Sequence, residues 1–162
     1  MPLQALLSVQ SVPADFRRKH EDISVHGLLA SYLAFAPQAQ DSQGAWIATW
    51  PSRESMRASM PFYWPEESKD QLPASVRAGM LDHQESKFEK DFAKVEACVP
   101  GADMAEYLYF WLVVNTRSFY FEFHGQKRPI SRDDCMVLCP FIDYFNHEDH
   151  GVSSCCRPKA SY

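Results

Sequence analysis

"CMVLCPFIDYFNHEDHG" occupies residues 135–151. An apolar run stops at Pro140, Asp143 lies three residues before Asn146, and His147 closes the phrase before the chain turns strongly polar. A short apolar run bounded by turn signals reads as a buried strand. Upstream, "SFYFEFHGQKRPISRDD" (118–134) is aromatic, then polar, with Gly125 and Pro129 punctuating the polar part. Aromatic residues followed by Gly/Pro punctuation predict strand, turn, strand. The final "GVSSCCRPKASY" (151–162) has room for the start of another strand.

The period changes before residue 118. Val25, Leu28, Leu29, Tyr32, Leu33 and Ala36 recur at i, i+3, i+4, i+7, i+8 and i+11, one helical face, with Glu21 and Asp22 placed for its N-terminus and Pro37 as its stop. "AQDSQGA" (39–45) reads as a polar loop. Residues 45–65 carry Trp46, Trp50 and Trp64 among prolines and read as a short helix followed by an irregular aromatic loop. Such aromatics either pack on the core or present a partner-binding surface. Residues 72–100 read as one long amphipathic helix with an apolar stripe of Val76, Met80, Phe88, Phe92 and Val95 and a solvated face of alternating charge, ended by Pro100 and Gly101. Asp103 and Glu106 resemble a capping box for a last helix, through about Thr116, that is apolar nearly all round and therefore buried. The expected fold class is α+β: helices first, then a small β region.

The chain has 162 residues, 46% of them hydrophobic and 14% aromatic, enough for a packed domain. A net charge of -5 argues against a nucleic-acid-binding surface, which is ordinarily basic. The longest pure apolar run, "YLYFWLVV" (107–114), is far short of the roughly 18 residues a membrane span needs. The first residues lack a basic segment and a long apolar core, so no signal peptide is expected. Five cysteines, an odd number, exclude a complete intrachain disulfide framework and suit an intracellular protein of cytoplasm or nucleus.

Three chemistries compete for the C-terminal third. Cys135, Cys139, His147, His150, Cys155 and Cys156 are zinc-type ligands, but their spacings match no common structural site, and buried thiols are the preferred reading. Nucleophilic cysteine catalysis needs an ordered cysteine–histidine pair, which the pattern does not supply. The third reading is a family resemblance. "VVNTRSFYF" (113–121) followed by "VLCPFIDYFNHEDHG" (137–151) resembles SET-domain protein-lysine methyltransferases, in particular the subgroup of the Rubisco large-subunit methyltransferases. In that subgroup a helix ends in Arg-Ser/Ala-Phe, a hairpin follows, and a strand runs through Pro-x-x-Asp-x-x-Asn-His.

The resemblance implies a division of the chain: residues 1–20 as a remnant of an N-terminal SET segment, 21–116 as a helical insertion and 117–162 as a partial SET core. It implies S-adenosylmethionine as cofactor, with Arg117 near the methionine carboxylate and the Asn146 side chain and His147 backbone holding the amino-acid and adenine parts. The Thr116 and Asp143 carbonyls would line the channel for the target lysine. The partner implied is a lysine-bearing protein, histone or non-histone, with no direct nucleic-acid or membrane contact. The family's Gly-rich cofactor turn and its tyrosine downstream of Asn-His have no counterpart here, and Glu148 stands where serine is common. The resemblance therefore assigns no catalytic residue, and the expectation is an incomplete, weakly active or inactive methyltransferase, truncated at both ends. The alternatives are a non-catalytic interaction module derived from a SET protein and a metal-stabilised helical domain.

Overall fold

In the computed structural model, residues 6–122, 135–140 and 142 are described. Elements run α1 (Ala14–Lys19), α2 (Val25–Phe35), α3 (Pro37–Ile47), α4 (Arg53–Ser59), α5 (Glu66–Lys69), α6 (Ala74–Val76), α7 (Asp82–Cys98), α8 (Met104–Arg117), β1 (Phe119–Tyr120) and β2 (Met136–Val137). Short 3-10 turns lie at Val9–Ser11 and Pro61–Tyr63. The fold is mainly helical with a small antiparallel ribbon, as the pattern predicts.

The core is built on α2 against α8. Leu29, Leu33, Tyr107, Phe110, Trp111, Val113 and Val114 are essentially sealed from solvent. Aromatic rings fill the space between α7 and α8: Phe88 packs with Tyr107 and Trp111 at centroid distances of 5.7 and 5.6 Å. Asp103 caps α8, its carboxylate accepting from Ala105 N at 2.8 Å and Glu106 N at 3.3 Å. The reciprocal half of the capping box is not used, because Glu106 instead accepts from Arg53 of α4.

Several sequence expectations need correction. Residues 37–47 are helical, not a polar loop. Pro37 stops α2 as expected, since Ala36 before it is extended, but it also opens a new helix, because its missing N–H costs no hydrogen bond in the first turn of α3. Its apolar anchors are few, Ala39 and Trp46, so hydrophobic spacing could not reveal it. Trp46 and Trp50 are buried and pack edge-to-face at 5.0 Å, which settles them as core; Trp64 is half-buried. At α2 the first turn holds no acid; the cap is Ser24.

The stretch 72–100 is helical without a break from 74 to 98, as expected, but it is not α-helical throughout. A π turn, Arg77–Leu81, separates α6 from α7. Leu81, Phe88, Phe92 and Val95 are buried at successive spacings of seven, four and three, one face of an α-helix. In an unbroken helix Arg77, eleven before Phe88, would fall on that face and Val76 would rotate off it. The wider turn, closed by Asp82 N on Arg77 O, leaves Val76 half-buried and sets Arg77 against Glu66 (2.9 Å) and Asp82 (3.0 Å). Met80, expected on the stripe, is 63% exposed.

Lys69 is nearly buried and docks α5 on α7, with Nζ 2.8 Å from Glu85 and 3.0 Å from Glu66. Burial alone would lower its ammonium pKa. The hydrogen bonds to Glu85 and Glu66 outweigh that and raise it above the usual lysine value. Gly101 takes a positive φ of 77° in the turn between α7 and α8, a conformation that favours glycine.

Candidate functional site

The end of α8 and the ribbon form the junction where the sequence places its site. Helix α8 runs to Arg117, and Ser118, already extended, closes the last turn by donating its N–H to Val114 O at 3.0 Å. Side chains of the last turn bond back to the helix: Asn115 Nδ2 to Trp111 O at 2.7 Å, and Thr116 Oγ1 to Leu112 O at 2.8 Å. Thr116 is exposed and Arg117 half-buried. The Tyr109 phenol is raised by burial, and the nearby Arg53 and Arg117 cations partly oppose this. Arg53 stacks over the Tyr109 ring at 4.4 Å, while the Tyr109 hydroxyl donates to Pro51 O at 2.9 Å.

Strand β1 leaves Ser118 directly. Phe119 pairs with Val137 and Tyr120 with Met136, and Phe121 N donates to Cys135 O at 2.8 Å. The far side of β2 is joined by the N-terminal segment: Leu7 and Leu138 exchange both backbone hydrogen bonds at 2.9 Å. Leu6, Val137 and Cys139, with Phe119 and Phe121 against them, make a small cluster apart from the main core. The N-terminal segment, the end of α8 and the 135–140 strand thus meet at one place. From there the chain passes Pro140 and an exposed Ile142 on its way to Asp143.

Of the expected site residues, the structure puts Thr116 and Arg117 together at this junction. Asp143, Asn146 and His147 lie outside the described residues. So do His150, Cys155 and Cys156 of the metal reading and the turn residues Gly125 and Pro129. Cys135 and Cys139 are buried in the ribbon, with Cys139 Sγ donating to Pro140 O at 3.3 Å. Among the described residues, no group of three or more His, Cys, Asp or Glu side chains is placed to hold a metal, and no helix is long and apolar enough to cross a membrane.

The sequence reading missed a buried polar knot. Asp91, assigned to the solvated face of α7, is 4% exposed and accepts from Ser24 and Trp111. It had no signal in charge periodicity, since its neighbours Glu89, Lys90 and Lys94 are exposed. Burial, with the Asp91 charge adding to it, pushes the Tyr107 phenol far above its usual value.

The chain is similar to "SET domain-containing protein 4" of Artemia parthenogenetica: 29% identical over 154 residues, covering 86% of this chain. It spans 37% of that relative's length. No protein-family model and no solved structure matches the chain. The similarity supports a SET-domain relationship.

Proposed function

We propose that this chain is the helical and partial-core portion of an S-adenosylmethionine-dependent protein-lysine N-methyltransferase of the Rubisco large-subunit methyltransferase-like subgroup. In this reading residues 1–20 are the remnant of an N-terminal SET segment, 21–116 the helical insertion and 117–162 part of the SET core. The observation that carries it is the similarity to a SET-domain protein across 86% of the chain. The ribbon that follows Arg117 directly, as the motif order requires, agrees with it.

The donor set fits the cofactor's methionine head. A half-buried guanidinium at the end of α8 suits a carboxylate, because its planar fork can bind both oxygens and partial burial weakens competition from water. Asn146 offers both a donor and an acceptor to a zwitterion, and the His147 backbone supports the adenine side. S-adenosylmethionine supplies an electrophilic methyl group when bound. The Thr116 and Asp143 carbonyls orient the incoming lysine amine without adding full charge. The lysine arrives neutral, its proton lost to water, and alignment of the amine with the methyl group is what the site contributes. The partner is a lysine-bearing protein.

The test is a thermal melt of the purified 162-residue chain with and without S-adenosylmethionine, with ATP as control. A ligand at ~100 times its dissociation constant that binds only the folded state adds about 2.7 kcal/mol. An upward shift with S-adenosylmethionine alone, lost in Arg117→Ala, is expected. A transition unmoved by it would refute the reading for this chain.

A further inference from the structure

We infer that the Ser118 hydroxyl is a binding group of this site, held for the charged amino-acid head of S-adenosylmethionine; the inference rests on the methyltransferase reading above. Ser118 Oγ is shielded from solvent and has no hydrogen-bond partner among the described residues. The described residues around it offer it none. Ser118 N already uses Val114 O, and the polar side chains of the preceding turn, Asn115 and Thr116, are spent on Trp111 O and Leu112 O. The ribbon register, extended by one residue, sets Ser118 opposite Leu138, whose N–H and carbonyl are both committed to Leu7.

A buried hydroxyl without a partner is costly, and native structures keep few of them. Ser118 directly follows Arg117, the cation assigned to the cofactor carboxylate. A serine hydroxyl can donate to that carboxylate or accept from the ammonium of the same head group. The hydroxyl contributes affinity rather than chemistry: the resembling family carries serine or alanine at this place in its motif.

Isothermal titration of the wild-type chain and Ser118→Ala with two ligands tests this, alongside melts without ligand. The ligands are S-adenosylmethionine and 5′-methylthioadenosine, which keeps the adenosine thioether and lacks the amino-acid head. In Ser118→Ala the affinity for S-adenosylmethionine should fall ~10-fold, as for loss of a hydrogen bond to a charged group. The affinity for methylthioadenosine should be unchanged, and the ligand-free variant should melt at or above the wild-type temperature. Equal S-adenosylmethionine affinities would overturn the inference and leave the methyltransferase reading standing. A parallel fall for both ligands, or a ligand-free variant melting several degrees lower, would show that the hydroxyl serves the fold instead. A wild-type chain that binds no S-adenosylmethionine would overturn both readings.

Discussion

Ser24 Oγ donates to Asp91 Oδ2 at 2.6 Å, tying the N-cap of α2 to the middle of α7. The same carboxylate accepts from Ser24 N at 3.1 Å and Trp111 Nε1 at 3.2 Å, and Ser24 Oγ in turn accepts from Gly27 N at 3.0 Å. One buried anion therefore joins α2, α7 and α8. It also places negative charge at the N-terminus of α2, where the exposed N–H groups and the helix dipole favour it.

Replacing Asp91 by alanine removes three hydrogen bonds and leaves the donors on half-buried Ser24 and fully buried Trp111 without that acceptor. Unpaired buried donors cost about 1–3 kcal/mol each, so a loss of about 3 kcal/mol or more is expected, a large part of a typical domain's stability. Asp91→Asn keeps the shape and one acceptor and should fall in between. Urea unfolding of the three proteins measures this. An Asp91→Ala midpoint equal to wild type would show that the knot contributes nothing.

Gly27 is required by the approach of α7 rather than by its backbone angle. A Cβ there would lie 2.5 Å from Ile23 Cγ2 and 2.7 Å from Asp91 Cγ. Helix propensity alone would favour alanine by about 1 kcal/mol. The clash falls on a hydrogen-bonded buried carboxylate that cannot move freely, so Gly27→Ala should destabilise by about 2 kcal/mol net. A stabilised variant in the same urea assay would mean that Asp91 can shift away at little cost.

How far the sequence was legible follows from which forces leave a period behind. Helix α8 and the buried α2 face were readable because long apolar faces repeat at helical spacing, and the Asp103 cap because capping is local. The ribbon was readable from the change of period. Helix α3 was not, because Ala39 and Trp46 are its buried residues and its polar stretch resembles a loop. Asp91 was invisible because a carboxylate is buried by partners 67 and 20 residues away, Ser24 and Trp111, not by its neighbours. Of the site, Thr116 and Arg117 were readable as the end of a helix; the roles proposed for them, Arg117 toward the cofactor and Thr116 toward the lysine channel, came from motif resemblance, which has no local physical signature.

His20 is 3% exposed, stacked on Phe16 at 4.2 Å, with Nδ1 2.9 Å from Phe16 O and Nε2 3.0 Å from Ser31 Oγ. Burial lowers its pKa below the usual value; the Phe16 carbonyl opposes this and the Lys19 charge adds to it. The unfolded chain therefore binds a proton more readily than the folded one. His20 contributes its full stability above its unfolded pKa of about 6.5 and loses it as pH falls from there toward the folded value. Melts from pH 7.5 to 5.0 should decline with a slope of up to about 1.4 kcal/mol per pH unit from this group. The decline should be shallower in His20→Gln. Parallel curves for the two proteins would remove His20 from the account.

The π turn makes the last prediction. It exists because Val76 and Leu81 are five apart, one residue too many for consecutive positions on an α-helical face. Deleting Gly79, whose surroundings are open, leaves them four apart, the spacing of an ordinary helix. Val76 then keeps its half-buried place without the wide turn, and Arg77 stands four residues before the present Asp82, still within ion-pair reach. The helix also loses a glycine, which costs it about 1 kcal/mol relative to alanine. The Gly79 deletion should therefore fold, with a melting temperature at or above wild type. Deleting Glu89 is the control: it is equally exposed but lies between Phe88 and Phe92, so it rotates one of them off the core face. That chain should lose several kcal/mol and melt far lower or not fold. Equal damage from the two deletions would mean that the π turn is specified by something other than this spacing.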